Sequence, residues 1–550
     1  MKFKKIISII LIIILSLGLV SCGGTEGTAG TEQNNNQGQD NNQEQDNNVQ
    51  GSGSKVLRVA ARYGSFDTLD VYLSSYNIVF EIADVIYDNL IGKDPETLEL
   101  YPVLIEDMPE ISADGKTFIF KLKKGIKFHD GTELTAKDVE FSLNRFFKPE
   151  TQCANTWMAD MIEGSKEVMD GKADSLSGFK IIDDYSFSIS LYYPFVPFTA
   201  ALAASPLKIY PEKACTEAGD RWGLDVAIGT GPFKVDSFEP KTKLVVSRFD
   251  GYHGDAKKLD KIEFIDMDQG TQLLEFEAGN VDVIRSIDTE LVEAYLEDPE
   301  FKDNVKFQEY LGVYYLNFNQ AIKPLNDVRV REAISLAVDA DELCNIHFKG
   351  HVRPAISLIP PGVVGHDDTL PQFEYDPEKA KELLAEAGYP DGIELTVVET
   401  EGDPFVDIYL VIQEQLKKAN IALNIELVDS ATFFDMRSTG KMQLYLRSWF
   451  CDYIDPDFFL YSLYHSSVST LFSTGFDDID YDQRLEAGRL IKDLGEKQKY
   501  YEELEYDLSR NKKANRPLYY GSGFYLISDR AEDIIMKKES LLHLVDGDIK

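Results

Sequence analysis

Residues 25–54, TEGTAGTEQNNNQGQDNNQEQDNNVQGSGS, contain no aromatic residue and a single valine. A stretch this polar cannot bury enough apolar surface to offset the entropy lost on ordering its backbone. Its glycine and serine content marks it as a flexible tether. A packed core can therefore begin only at about residue 55. The leader before the tether, MKFKKIISIILIIILSLGLVSC, has Lys2, Lys4 and Lys5, then an uninterrupted apolar run, then Cys22. That run is short for a stable membrane span and has a basic front, the pattern of an export signal.

The last four residues of the leader, LVSC (19–22), resemble the bacterial lipobox, in which cleavage exposes a cysteine that becomes lipidated. Several acyl chains on Cys22 would anchor the protein durably to the lipid bilayer, whereas a single chain is marginal. The folded body is then expected on the outer face of the cytoplasmic membrane, facing the periplasm if the cell has two membranes. At 550 residues the chain exceeds one ordinary core, and two or three lobes are expected. A net charge of −38 repels phosphate backbones, which argues against nucleic acid and favours cationic or zwitterionic ligands. Cys153, Cys215, Cys344 and Cys451 are widely spaced without a CxxC pair, so buried free thiols are expected.

The body opens with KVLRVA, an apolar run that predicts a strand. YNIVFEIADVIYDNLIG follows, with Ile78, Ile82, Val85, Ile86 and Leu90 at helical spacing and Gly92 as the stop. A strand followed by a helix indicates an α/β lobe. TFIFKLKKGIKF predicts two short strands around Lys124-Gly125, and HDGTEL is turn chemistry. Thr135 with Asp138 has the form of a capping box opening a helix that turns Val139, Leu143 and Phe146 to one side.

The stretch DGKTFIFKLKKGIKFHDGTELTAKDVEFSLNR resembles the motif of the large extracytoplasmic solute-binding proteins of ABC importers, the oligopeptide- and dipeptide-binding family (family 5). AIGTGPFKVDSFEP (227–240), NDVRVREAISLAVDADEL (326–343) and YDPEKAKELLAEAGYPDG (375–392) continue the resemblance in the family's order. In the last of these Asp376 stands as N-cap, Pro377 at the first helical position and Gly388 at the end. The resemblance spans roughly residues 55–530. It implies an α/β, two-lobed, periplasmic-binding-protein-like fold of type II, in the large three-part form with a small domain inserted in the first lobe. It also implies boundaries: signal peptide 1–22, tether 23–54, first lobe 55–96 with 226–312 and 513–550, inserted subdomain 97–225, and second lobe 313–512. The lobes would be joined by crossings near 310–313 and 510–515.

Catalytic patterns are thin. There is no GxSxG and no HExxH. DGKT (114–117) mimics the end of a phosphate loop, but Glu110 occupies the position that needs the first glycine. His347 and His351 are four apart, yet Gly350 lies between them and ends the helix, so no metal site is expected. His129 beside Asp130 sits at a hairpin–helix junction and reads as structural. No cofactor is expected, and the chain is not read as an enzyme. An extracellular hydrolase, the alternative from a different class, would need a nucleophile–base pair or a metal triad.

RSWFCDYIDPDFF (447–459) is the stretch with ligand chemistry. It resembles the family's W-x-x-D-Y-x-D/E-P segment, which lines the cleft between lobes. That resemblance implies that Asp452 meets the α-ammonium of a peptide, with Trp449 and Tyr453 as its apolar wall. Arg447 could answer a ligand carboxylate, although the family's basic residue often sits at the position of Leu446. Asp455 reads as turn chemistry, and Asp457 has no assignable role. DTLDVYLSSYN (67–77) resembles the family's LDP loop, with Val71 in place of proline, and implies ligand contacts around Ser75, Tyr76 and Asn77. The expected activity is peptide capture by a monomer that delivers its ligand to an ABC permease. Other solutes of the family, such as nickel chelates, haem, sugars or opines, are the alternative on the same fold. Cys22→Ser should release the protein from the membrane fraction; its retention there would count against lipidation.

Overall fold

The computed structural model describes residues 54–62, 66–153, 155–451 and 453–550. The leader, Cys22, the tether up to residue 53 and Asp452 lie outside the described residues. Ten strands make one mixed sheet: β1 (Val56–Arg62), β2 (Phe233–Glu239), β3 (Lys243–Arg248), β4 (Lys261–Met267), β5 (Val283–Ile284), β6 (Val305–Phe318), β7 (Ile393–Thr400), β8 (Ile421–Val428), β9 (Leu444–Phe450) and β10 (Asn515–Ile527). Their order across the sheet is β8–β7–β9–β6–β10–β5–β1–β4–β3–β2. β1 runs parallel to β4 and β5, and β7 runs parallel to β8 and β9. β6 and β10 are antiparallel to each other and to their outer neighbours β9 and β5.

Both faces of the sheet are covered. Leu57, Val59 and Ala61 enter one hydrophobic core while Ala60 enters another. The same alternation sends Val313 and Tyr315 one way and Leu316 and Phe318 the other. Side chains that alternate between two apolar layers explain why these strands read as continuous apolar runs.

β6 and β10 pair from Val305↔Leu526 to Asn317↔Asn515, with register shifts between Glu309 and Val313 and between Tyr314 and Tyr315. β5 joins β10 at Leu526 and Ile527, near the start of β6. β9 joins β6 over Gly312–Phe318, at the opposite end. One ribbon thus carries a half-sheet at each end. Tyr310 and Tyr525 share a hydroxyl–hydroxyl bond of 2.8 Å across it. A Cβ on Gly523 would fall on the Tyr310 hydroxyl, and one on Gly312 would strike the Phe450 ring.

A separate antiparallel sheet holds Glu110–Ile111, Thr117–Lys121, Ser186–Ser190 and Phe179–Asp183 in that order. Phe187 stacks between Phe120 and Phe179. The helix Ala136–Phe147 follows, its start fixed where the Thr135 N–H donates to Asp138 Oδ2 at 2.9 Å. Asp376 likewise accepts from the Lys379 N–H at the start of Pro377–Glu386, and Gly388 follows in the left-handed region.

Two local expectations need correction. The helix that opens at Asn77 ends at Ile86, so Leu90 is not helical and Gly92 lies in the strand Ile91–Lys93. The cause is tertiary: the Gly231 N–H donates to the Ile86 carbonyl at 3.0 Å, and Tyr87 turns extended and buried. Of the two strands expected around Lys124-Gly125, Thr117–Lys121 forms, whereas the second is reduced to an isolated Lys127–Glu133 bridge across a tight turn.

Cys153, Cys215 and Cys344 form no disulfide, and burial pushes their thiols up to about 12. Gly523→Ala should destabilise the protein by roughly 1–3 kcal/mol, the cost of overpacking a filled site. Denaturant unfolding checks this, and an unchanged midpoint would mean the ribbon absorbs a methyl there.

Candidate functional site

Alternation along β9 places Tyr445, Arg447 and Trp449 on one face. The Trp449 indole N–H donates to the Phe458 carbonyl at 2.8 Å, and its ring stacks on Phe458 with centroids 5.1 Å apart. Tyr453 is buried, with its hydroxyl donating to Asp457 Oδ2 at 3.2 Å. Its ring meets Phe458 and, from far earlier in the chain, Phe195 edge-on. Trp157 reaches Phe458 from the same side, with centroids 5.7 Å apart. The aromatic wall is therefore packed on itself and on residues before 225.

Two acids of this stretch have partners in distant sequence. Asp457 is fully buried and receives a guanidinium fork from Arg489, with Nε at 2.7 Å and Nη2 at 3.0 Å. Arg489 in turn lies against the rings of Tyr461, Tyr193 and Phe195. A bidentate arginine–carboxylate pair of this kind is the strong form of the ion pair. Asp455 accepts the Asp457 N–H, as turn chemistry requires, and also pairs with the buried Lys497. Sequence reasoning missed Arg489 and Lys497 because nothing in their local sequence points back to the stretch.

Arg447 is not free. Its Nη1 lies 3.5 Å from Glu399 Oε2, and its guanidinium sits 4.0 Å from the Phe433 ring centroid. Burial raises the Glu399 carboxyl above its ordinary range, with Arg447 opposing. Arg437, a second guanidinium that sequence reasoning overlooked, lies over Phe434 and Phe472. Its buried Nε has no hydrogen-bond partner among the described residues. Burial, aided by the Arg447 charge, depresses its pKa. Phe472 also meets Trp449 edge-on, so the two arginines and the tryptophan share one face.

In the loop before helix Asn77–Ile86, Ser75 and Tyr76 are exposed, Tyr76 at 62%. The loop is tied down by Asn155 Nδ2, which donates to the Ser74 carbonyl at 2.9 Å. Asn77 Nδ2 donates to the Ser540 carbonyl at 3.0 Å. Asn77 and Cys451, the residue before Asp452, both line a cavity of about 310 Å³. The structure thus brings segments from the two expected lobes to one space.

The histidines are used locally. His129 Nε2 lies 2.9 Å from the Gly231 carbonyl, and its Nδ1 accepts the Gly229 N–H at 3.3 Å. Asp130 instead accepts from Thr132. His351 pairs with Glu293. No group of three or more potential metal ligands occurs among the described residues, and no helix among them is long and apolar enough to cross a membrane.

The model of the bacterial extracellular solute-binding proteins, family 5, matches residues 99–470. A dipeptide-binding protein of Escherichia coli K12 is 30% identical over 425 residues, covering 74% of this chain and 78% of that protein. Heme-binding protein A of Haemophilus influenzae is 26% identical, covering 82% of this chain and 84% of its own length. Among solved structures, HbpA2 from Haemophilus parasuis superposes with a TM-score of 0.79 at 23% identity, covering 90% of this chain and all of that one. It is a periplasmic-binding-type fold of two lobes.

Burial pushes the Asp455 carboxyl up to about 6, against the pull of Lys497. The folded state then holds a proton that the unfolded chain releases above about pH 4. This contribution is full below that pH and is lost as pH rises through about 6. The stability advantage of the wild type over Asp455→Asn should therefore shrink between those values. Urea unfolding across the window checks it, and a constant difference would show Asp455 ionised throughout.

Proposed function

The chain belongs to family 5 of the bacterial extracellular solute-binding proteins, the extracytoplasmic binding components of ABC importers, and from that membership we propose that its solute is a peptide. The observation that carries the reading is the cavity lined both by Asn77, at the start of its helix, and by Cys451 next to Asp452. An extended peptide can satisfy its backbone against strand edges and loop carbonyls without regard to its side chains. Its α-ammonium needs a carboxylate once water is excluded, and Asp452 is assigned that role. Trp449 and Tyr453 shape the wall behind it. Arg447, joined by Arg437, faces the ligand carboxylate.

The lobes would close over the peptide by bending the β6–β10 ribbon, and the closed form would dock on a membrane permease. Ligand drives closure only through its higher affinity for the closed state. Lipidation at Cys22 would hold the monomer at the membrane by its tether. A haem-type solute is the second reading, favoured by the similarity to a heme-binding protein. It leaves the carboxylate of Asp452 without an ammonium partner, which weighs towards peptides.

Asp452→Asn should weaken peptide binding at least about tenfold, at the low end for removing one partner of a desolvated charge pair. Melting should be unchanged. Titration calorimetry with a peptide that co-purifies with the protein checks it, and unaltered affinity removes Asp452 from the site.

A further inference from the structure

The cavity that Asn77 and Cys451 share runs along the helix Asn77–Ile86 and is closed by the C-terminal segment 537–546. Its lining inverts the charge balance of the chain. Five lysines face four carboxylates, in a protein with 56 basic and 94 acidic residues. Four of the lysines are neutralised. Lys208 and Lys537 both donate to Asp84, at 2.6 and 2.7 Å. Lys257 pairs with Asp546 at 2.8 Å, and Lys93 with Glu539.

Lys123 differs from these four. Its half-buried ammonium donates to the Pro102 carbonyl at 3.2 Å and has no carboxylate in ion-pair range among the described residues. An ammonium has three donors, so two are left to face the cavity. The position is built into the framework, because the Lys123 N–H is bonded to the Leu104 carbonyl at 2.9 Å. The remaining carboxylate, Asp88, accepts from the Thr230 hydroxyl through Oδ2, which also lies 2.9 Å from His253 Nε2. One buried oxygen of Glu539 accepts no hydrogen bond among the described residues.

We propose that this cavity is a side-chain pocket selecting an acidic residue of the bound peptide, with Lys123 as the cation that receives its carboxylate. The inference rests on the peptide reading. The peptide's termini are allotted there to the second lobe, whereas every described residue lining this cavity except Cys451 belongs to the expected first lobe and inserted part. An extended peptide points alternate side chains to opposite walls, so a side chain is what reaches Lys123. The unused Glu539 oxygen supplies an acceptor for a ligand N–H beside it.

The test is calorimetry with alanine tripeptides carrying one glutamate at each position in turn, against the same peptides with glutamine. All have free termini. The wild type should prefer glutamate at one position by about tenfold, the scale of one charge-assisted hydrogen bond. Lys123→Arg should keep the preference, and Lys123→Gln should erase it while still binding the glutamine series. Equal affinity for the two series in the wild type, or a preference that survives in Lys123→Gln, overturns the assignment and leaves peptide binding standing. Failure of every tripeptide to bind, with glutamate or glutamine, overturns the peptide reading and this assignment with it.

Discussion

The pairing of β6 with β10 is the constraint on which the rest of the molecule hangs. Each half of the large sheet is hydrogen-bonded to a different end of this ribbon, β5 at the Leu526 end and β9 at the Phe318 end. The ladder is interrupted at Glu309–Val313 and again at Tyr314–Tyr315. Bulges raise local twist and bend the strand while leaving the extra residue out of the ladder, and here the Leu311 N–H donates instead to the Lys538 carbonyl at 2.7 Å. The ribbon therefore joins the two ends of the large sheet. Gly523 lets the Tyr310–Tyr525 bond form at its centre, where a side chain would separate the strands.

Buried charge is organised around the stretch 447–459 by the same economy. Asp457 would be costly at zero exposure without the Arg489 fork, and Asp455 is matched to Lys497. These pairs lock helix Asp457–Tyr464 and the aromatic stack against it. A wall whose rotamers are already fixed loses little entropy when a ligand binds. In the proposed site Trp449 and Tyr453 would thus serve through rigidity as much as contact. Nearby, Arg437 is held among rings beside a second guanidinium, and its Nε has no hydrogen-bond partner among the described residues.

The acidity of the chain and the chemistry of its cavity act at different ranges. A charge of −38 sets the long-range field, which favours cations and is screened within about 10 Å at moderate salt. The lysine-rich lining of the cavity acts at contact distance, inside that screening length. Encounter and selection can therefore obey opposite signs.

Features that depend on neighbours within a few residues were legible in the sequence. The strand VLRVA, the Thr135–Asp138 cap, the Asp376–Pro377 helix start and the Asp455 turn all stand where the residues indicate. Each is a contact between groups that the chain itself holds close. The termination at Ile86 was not legible, because its cause is a glycine N–H from a remote loop. Nor was the role of Asp457, whose partner is brought up by a later helix, or the engagement of Arg447 by Glu399. Short-range pattern determined the strand and helix that open the body, and with them its α/β character. Which charges are spent on each other and which still face a cavity was decided by tertiary packing, because a salt bridge depends on distance in space and carries no mark in local sequence.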